Sequence, residues 1–152
     1  MILAFKPQFV EPILSGVKIH AIREEKADRW NEGREIQFAT GVRTSKYNQF
    51  FSSRCISVQR IIIDPSMKLI LIEDAKTGKY NFLPEARHAE LALHDGFKTL
   101  DEFWGFFTKR IHGKIIHWTC AKYVVSPDDF VRFTFKNLDI ELRSGSGLKG
   151  VL

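Results

Sequence analysis

The segment GVKIHAIR, residues 16–23, is the most specific local feature of the sequence, and it decides how the chain begins to fold. The preceding residues Gln8–Ser15 predict a short helix with Pro12 in its first turn, and Gly16 suits the left-handed position after a helix end. Side chains then alternate along a strand, so that one face carries Lys18, His20 and Ile22 and the other carries Ile19, Ala21 and Arg23. The junction between the helix and the strand thus has two cations nearby, Lys18 and Arg23, and these can bind a phosphate or polarise a carbonyl group.

The rest of the chain changes between strand-like and helix-like spacing of its apolar residues. The predicted strands are Ile2–Phe5, Ile19–Arg23, Glu35–Thr40, Cys55–Ile63, Lys68–Glu73, Lys79–Leu83, Lys114–Thr119 and Phe130–Phe135. Helices are predicted over Pro84–His94 and from a capping box at Thr99–Glu102 as far as Gly113. Many short strands with helices grouped in mid-chain indicate an α+β fold with a mostly antiparallel sheet that is able to close into a barrel.

Length and composition fit one folded domain. Of the 152 residues, 44% are hydrophobic and 27% are charged, which is the balance of a globular protein. We expect a single domain over residues 1–142 and a flexible tail over residues 143–152. No uncharged apolar run approaches the roughly 20 residues that cross a bilayer, and residues 1–5 lack the features of a secretory signal. We therefore expect a soluble cytoplasmic protein with no membrane partner, in which Cys55 and Cys120 are reduced, buried thiols.

Charge is distributed unevenly along the chain, whose formal net charge is +5. No acidic residue lies between Ile36 and Ile63, whereas that stretch contains Arg43, Lys46, Arg54 and Arg60, interleaved with Tyr47, Phe50 and Phe51. Cations that neutralise phosphates, beside aromatic rings that stack on bases, are typical of a single-stranded nucleic-acid surface. The alternative interpretation is that the aromatic residues are core positions on alternating strands and the cations are merely solvated.

Several of these segments together resemble the ASCH domain family of the PUA-like superfamily. That family carries the signature G-x-K-x-x-T-x-R after its first helix, which Gly16, Lys18 and Arg23 match. Three further segments resemble, in the same order, the turn before the next barrel strand, an acidic-Gly-Phe helix junction and the closing strand: residues 29–33, 93–103 and 115–118. The resemblance covers residues 1–120 and implies a PUA-like pseudo-β-barrel of mostly antiparallel strands with two to three helices.

Some bacterial ASCH proteins resemble amidohydrolases that release acetate from acetylcytidine, and the resemblance implies catalytic roles for Lys18 and Asp95. The position of the family's nucleophilic threonine is occupied by Ala21. Alanine has no oxygen to attack a carbonyl, so that covalent route is lost. His20 alternates to the opposite strand face from Ala21, which makes it a poor substitute, and activation of a water by Asp95 or His20 is left as the remaining hydrolytic route.

Two functions follow as hypotheses. The first is a binding module for RNA or a nucleotide-like ligand, contacted by Lys18, His20, Arg23, Arg43, Lys46, Tyr47 and Arg54, with Asp95 accepting a hydrogen bond from an exocyclic amine. The second is a small amidohydrolase acting on acylated nucleosides. We expect no cofactor and no metal, since His117 and Cys120 have no second close ligand pair at zinc-like spacing. The oligomeric state is left open.

Overall fold

Eight strands and three α-helices are present in a computed structural model that describes residues 1–24 and 27–126. In chain order they are β1 (Ile2–Ala4), α1 (Val10–Leu14), β2 (His20–Glu24), β3 (Glu35–Thr40), β4 (Asn48–Arg54), β5 (Ser57–Asp64), β6 (Leu69–Glu73), β7 (Tyr80–Phe82), α2 (His88–His94), α3 (Leu100–Phe106) and β8 (Ile111–His117). Single turns of 3-10 helix, Pro7–Phe9 and Glu85–Arg87, lead into α1 and α2.

The strands form two hydrogen-bonded sheets. The first has the order β1-β3-β4 and the second the order β2-β8-β5-β6-β7. Every pair is antiparallel except β1 with β3. The predicted α+β class with mostly antiparallel strands is therefore confirmed. Closure into one barrel is not, because the two sheets are separate in their hydrogen bonding.

One hydrophobic core joins both sheets and the helices. Ile36 and Phe38 enter it from the first sheet, Ile61 and Ile115 enter it from the second, and Phe103 contributes from α3. These side chains are fully buried. Consecutive residues are buried at Ile61–Ile63 of β5 and Ile115–Ile116 of β8, so both faces of these strands are covered, as suits their place in the middle of the larger sheet.

The ends of the first two helices follow the sequence prediction. Gly16, after α1, has a φ of +79°, and the backbone N–H groups of Val17 and Lys18 both donate to Pro12 O. Gly96, after α2, has a φ of +95°. Left-handed backbone of this kind ends a helix, and glycine adopts it without steric cost.

Helix α3 begins as predicted but ends earlier. The Thr99 hydroxyl accepts a hydrogen bond from the Glu102 N–H at 3.2 Å, as in a capping box. The Glu102 carboxylate accepts from the N–H of Lys98 rather than from that of Thr99. The helix ends at Phe106, so the predicted extension to Gly113 is wrong.

Strand pairing explains the early end of α3. Residues Ile111–His117 form β8, which lies between β2 and β5 and pairs Ile111 with Ile63. At Gly113 the strand approaches the carbonyl of Arg23 so closely that a Cβ atom would clash with it. Residues 111–117 therefore form a strand, because pairing with β2 and β5 stabilises the segment more than continuation of the helix that its apolar spacing predicts.

Strand β4 has no counterpart among the predicted strands. Its sequence, NQFFSSR, places two phenylalanines side by side, so it lacks the alternation of a half-buried strand. The register explains the pair: Phe38 of β3 lies opposite Phe51, and Ala39 lies opposite Gln49, which leaves Phe50 as the extra residue of a β-bulge.

The remaining predictions concern the cysteines, the residues after 126 and membrane-spanning segments. Both cysteines are free, but only Cys55 is buried. The expectation that Cys120 is buried is wrong, because it lies in an exposed segment after β8. The predicted strand Phe130–Phe135, the domain boundary at residue 142 and the predicted tail lie outside the described residues. Within the described part, no helix is long and apolar enough to cross a membrane.

Candidate functional site

The corner between α1 and β2 places Lys18 against the end of α2. The N–H of Ile19 donates to the carbonyl of His94 at 2.9 Å, which ties the start of β2 to the last residue of the helix. Asp95 follows that residue, so the loop carrying Lys18 and the helix end carrying Asp95 meet although 77 positions separate them.

Gly96 permits this close approach. A Cβ atom at this position would lie 2.8 Å from Cδ of Lys18 and 2.9 Å from the ring of Phe9. Both distances are shorter than a normal carbon–carbon contact. The glycine is therefore required twice, for its left-handed backbone and for the space that the lysine stem occupies.

Lys18, His20 and Asp95 form a buried group that we term the Lys18 cluster. Lys18 is 3% exposed and Asp95 is 4% exposed, and the lysine Nζ donates to Asp95 Oδ1 at 3.0 Å and also to the Asp95 carbonyl oxygen. The ammonium lies 4.9 Å from the ring centroid of Phe9 and 5.7 Å from that of Phe5. A charge removed from water is costly unless it is paired, and here the carboxylate and two aromatic faces offset that cost.

Burial and pairing shift the pKa values of the cluster. Burial lowers the pKa of Lys18, although the Asp95 carboxylate opposes that shift. Burial alone would raise the pKa of Asp95, but the Lys18 ammonium and the nearby His20 hold it below its usual range. Burial also lowers the pKa of His20. At neutral pH Asp95 is therefore a carboxylate and His20 a neutral imidazole.

His20 extends the cluster toward the end of the described chain. Its Nδ1 lies 3.4 Å from Asp95 Oδ1, and its Nε2 lies 2.7 Å from the hydroxyl of Tyr123. That hydroxyl is also 3.4 Å from Nδ1 of His94. As the alternation of β2 predicts, Lys18 and His20 meet the same carboxylate, while Ala21 is fully buried in the apolar core.

Arg23 lies beside the cluster and is half-buried. Its Nη2 donates to the carbonyl of Ala4 at 2.7 Å and its Nη1 to the carbonyl of Ile22 at 3.0 Å. The guanidinium carbon is 5.1 Å from the Phe5 ring centroid. Burial lowers the pKa of Arg23, and the Asp95 charge opposes that shift. Phe5 is thus in contact with the cations of both Lys18 and Arg23.

The other predicted ligand residues lie on a second, exposed region, which we term the β3–β4 surface. It consists of the exposed side chains of the β3–β4 loop and of β4: Arg43, Lys46, Tyr47, Phe51 and Arg54. Tyr47 is 45% exposed and Phe51 is 38% exposed. Among the described strands β4 pairs only with β3, so it is the edge of its sheet. Arg60, from the same acid-free stretch, instead lies on β5 and pairs with Glu73 at 3.4 Å.

An aromatic cluster lies between the two regions. Phe51 packs 5.1 Å from Phe38, and Phe38 stacks on Phe5 at 5.5 Å, measured between ring centroids. Trp118 meets Phe38 edge-on at 4.8 Å. The β-bulge directs both Phe50 and Phe51 of β4 toward Phe38, and this places one exposed ring of the surface in the same stack that supports Lys18 and Arg23.

The structure therefore brings together Lys18, His20 and Asp95, with Arg23 adjacent, and it places the remaining predicted residues on a separate surface. Sequence reasoning missed Tyr123, His94 and Gln59. Tyr123 lies 103 positions from its partner His20, and an irregular segment offers no periodic signal for such a contact. Within residues 1–24 and 27–126, no three histidine, cysteine or acidic side chains converge as metal ligands.

Comparison with family models, with curated proteins and with solved structures gave no match to this chain. The resemblance to the ASCH family accordingly stays a prediction from short motifs.

Proposed function

We propose that this protein binds single-stranded RNA or a nucleotide-like ligand on the β3–β4 surface. The observation that carries the proposal is the pair of exposed rings, Tyr47 and Phe51, flanked by exposed Arg43, Lys46 and Arg54 with no acidic residue in the stretch. Phe51 packs on Phe38 but remains 38% exposed, and Tyr47 is 45% exposed, so both rings keep surface on which bases can stack.

The chemistry of the surface fits a flexible polyanion. Guanidinium and ammonium groups neutralise phosphates and release counterions, and the two rings stack on unpaired bases whatever their sequence. Among the described strands the outer edge of β4 is unpaired, and its backbone N–H and C=O groups are suited to bind ribose hydroxyls. Double-stranded RNA would not offer its base faces to these rings, so the proposal is restricted to single strands and free nucleotides.

Direct contact with a ligand is open to only one of the three predicted β2-region residues, Lys18, His20 and Arg23. Arg23 is half-buried and keeps an exposed fraction for contact with a phosphate. Lys18 and His20 are buried and already paired with Asp95 and Tyr123, so direct contact with a ligand requires an exchange of those partners. With those partners in place, the Lys18 ammonium lies against the ring of Phe5, which stacks on Phe38 beneath the β3–β4 surface.

We also propose that the two sheets are the halves of a PUA-like pseudo-barrel of the ASCH type in a cytoplasmic protein. The support is the match of Gly16, Lys18 and Arg23 to the signature, together with the 3.0 Å contact between Lys18 and Asp95. Those are the two positions to which the resemblance assigns chemistry, and they are far apart in the sequence. Two sheets that share one core are compatible with such a barrel.

The alternative function is hydrolysis of an acylated nucleoside, which the Lys18 cluster favours. Shifted pKa values of a lysine, a histidine and an acid that contact one another are typical of catalytic groups. An open groove of about 450 Å³ is lined by Gly96 and Phe97, which follow Asp95 in the sequence, but the residues of the Lys18 cluster do not line it. A neutral His20 paired with Asp95 is able to take a proton from an attacking water, which would replace the nucleophile that Ala21 lacks.

Binding is tested by titrating labelled single-stranded RNA with the wild type and with a Lys46→Gln/Arg54→Gln variant. We expect the wild type to bind more weakly as salt rises, with a slope of log K against log salt that is shallower in the variant by about 0.7 for each phosphate it no longer neutralises. A Lys98→Gln/Lys109→Gln variant has the same net charge but changes exposed lysines outside the surface, and it should bind like the wild type. Equal weakening in the two variants would contradict a defined site.

Hydrolysis is tested in the same samples by measuring acetate released from acetylcytidine. Release that is abolished by Lys18→Met and by Asp95→Asn, in variants that remain folded, would favour the alternative over the binding proposal. Salt-sensitive RNA binding without acetate would leave the binding module as the function.

A further inference from the structure

Tyr123 and Val125 are the two buried side chains of an irregular segment whose other residues are exposed or half-buried. Residues 121–126 have neither helix nor strand, and Val124 is 77% exposed, whereas Tyr123 is 5% exposed. We term residues 119–126 the C-terminal strap. A single aromatic ring inserted from an irregular segment occupies a site whose walls belong to other elements, as a bound ligand would.

Side chains of β5 and of the turn before α2 hold the strap in place. The Gln59 amide clamps the backbone of Tyr123: its Oε1 accepts from the Tyr123 N–H at 3.0 Å and its Nε2 donates to the Tyr123 carbonyl at 2.8 Å. Arg87 donates to the carbonyl of Val124 at 3.0 Å, and its guanidinium lies 5.8 Å from the Tyr123 ring centroid. Lifting the strap breaks these three hydrogen bonds and exposes Tyr123 and Val125, but it leaves the described strand pairs intact, since no residue of the strap belongs to them.

The residues around the Tyr123 ring have more hydrogen-bonding nitrogen atoms than the single tyrosine hydroxyl can contact. The slot is lined by His20, His94 and His117, and the Tyr123 hydroxyl reaches only the first two. A cavity of about 30 Å³ remains beside the ring, bordered by the same three histidines. That space holds roughly one water molecule, or one exocyclic group of a larger ring.

The tautomer of His117 follows from its neighbours. Gln59 Oε1 accepts from the Tyr123 N–H, which can only donate, so this oxygen must also be the acceptor for His117 Nε2 at 2.9 Å. A neutral His117 therefore carries its proton on Nε2, and its Nδ1 is a lone-pair acceptor. Among the described residues, this buried Nδ1 has no hydrogen-bond partner. A buried acceptor without a donor is costly, and a donor placed in the adjoining cavity of about 30 Å³ would satisfy it.

His20 has the complementary arrangement. Its Nδ1 lies 3.4 Å from Asp95 Oδ1 without a formed hydrogen bond, but a proton on that nitrogen is favoured by the nearby carboxylate and leaves Nε2 to accept from the Tyr123 hydroxyl. Two acceptor nitrogens, one on His20 and one on His117, therefore border a slot that is shaped for a planar ring. The occupant that satisfies both is a ring bearing an amine or a pair of N–H donors.

We propose that Tyr123 is an internal occupant of a base-binding slot formed by His20, His94, His117 and Gln59, and that an amino-bearing nucleobase replaces it when the C-terminal strap lifts away. The proposal rests on the proposed nucleotide-binding function and specifies it further, since it names a second site and the class of base. Cytosine and adenine each carry an exocyclic amine with two N–H donors, whereas uracil has a single ring N–H at its pairing edge. The strap then acts as a competitor that lowers the affinity of the closed protein.

The first test compares cytidine and uridine binding to the wild type and to Tyr123→Ala by calorimetry. Removal of the internal competitor should tighten cytidine binding by at least about ten-fold, because the open state is otherwise a minor fraction. Tyr123→Phe keeps the ring in the slot but loses its 2.7 Å hydrogen bond to His20, so its affinity for cytidine should lie between those of the wild type and Tyr123→Ala. Cytidine should bind Tyr123→Ala more tightly than uridine. A folded Tyr123→Ala variant that binds neither nucleoside, or that prefers toluene to cytidine as an ordinary apolar cavity would, overturns the proposal.

A second measurement needs no variant and covers the case in which Tyr123→Ala does not fold. Trypsin cleaves after Lys122, within the strap, and saturating cytidine should accelerate that cleavage in the wild type because the strap is displaced. Unchanged or slower cleavage overturns the proposal. Its failure is separable from that of the proposed function, since RNA binding that depends on Lys46 and Arg54 is read without reference to Tyr123.

Discussion

The Lys18 cluster and the β3–β4 surface contain the same kinds of side chain in opposite environments. In the cluster, Lys18 lies against Phe5 and Phe9, is almost excluded from water, and is paired with Asp95. On the surface, Lys46 stands beside Tyr47, and both are exposed. A cation beside an aromatic ring therefore does not by itself indicate a binding site. Whether it stabilises the fold or binds a ligand depends on its burial and on the presence of a counter-charge.

Burial also decides what each region can do for a ligand. A buried pair loses the hydration of both charges, so its removal should change the stability of the fold more than the affinity for RNA. Exposed cations contribute little to the stability of the fold. They attract phosphates over a distance that becomes shorter as the salt concentration rises. Variants of the two regions should therefore separate stability from affinity, and the largest effect is expected in stability.

Asp95→Ala should destabilise the protein by about 3–5 kcal/mol, because it leaves the Lys18 ammonium buried without its carboxylate. The matched change in an exposed pair is Glu73→Ala, which removes the partner of Arg60 and should cost about 0–1 kcal/mol. Urea unfolding of both variants gives the comparison. A Lys18→Met/Asp95→Ala double variant should recover part of the stability, and equal costs for the two single variants would contradict the contrast.

The fold should lose stability in acid because of its buried histidines. Burial lowers the pKa of His117 from 6.5 to about 3 in the folded protein, and burial lowers that of His20 in the same direction. Each imidazole takes up a proton more readily in the unfolded chain, so the stabilisation is complete above pH 6.5 and is lost as the pH falls toward 3. Unfolding free energies measured across this range should decline, and His117→Gln should flatten the decline. A pH-independent free energy would contradict neutral burial of these rings.

Two glycines separate backbone strain from close packing around Lys18. Gly16→Ala places a Cβ at φ +79° with no atom within 4 Å, so it should cost about 1–2 kcal/mol from strain alone. Gly96→Ala adds the clash with Lys18 and Phe9 to the same kind of strain and should be more destabilising. Thermal unfolding measures the destabilisation of each variant, and the difference between the two values gives the cost of the clash with Lys18 and Phe9. Equal costs would show that Lys18 is not held tightly against the end of α2.

Tyr47→Ala should weaken binding of single-stranded RNA by about 1–3 kcal/mol, because one base loses its stacking face. Tyr47→Phe keeps the ring and should bind like the wild type. Neither change should alter the unfolding free energy by more than about 0.5 kcal/mol, since the side chain is exposed. An RNA affinity unaffected by Tyr47→Ala would contradict the claim that Tyr47 of the β3–β4 surface stacks on a base.

Local chemistry accounts for the parts of the fold that the sequence predicts. Gly16, Gly96 and Thr99 mark helix ends through backbone conformation or capping, and the structure confirms all three. The end of α3 and the strand β4 cannot be predicted in this way, because each is decided by a neighbouring strand. Ile111 continues a helical spacing but pairs with Ile63, and NQFFSSR lacks alternation because Phe50 is a bulge residue.

The candidate site divides in the same way. The meeting of Lys18 with Asp95 is expected only through the family resemblance, since 77 positions separate them and no periodicity relates them. The shared face of Lys18 and His20 follows from strand alternation alone. Tyr123 cannot be found from the sequence, because its partners lie on β2, β5 and α2 and its own segment has no regular structure.

The most direct test of the central proposal is photo-crosslinking of thiouridine-containing single-stranded RNA, followed by peptide mass spectrometry. Trypsin cleaves after Lys46 and Arg54, so residues 47–54, which carry Tyr47 and Phe51, form one peptide in the wild type. In the Lys46→Gln/Arg54→Gln variant both cleavage sites are absent, and the corresponding peptide covers residues 44–60. We expect crosslinks concentrated on the wild-type peptide and fewer crosslinks on the longer peptide of the variant. Crosslinks that fall on other peptides and leave residues 47–54 unlabelled would contradict RNA binding at the β3–β4 surface.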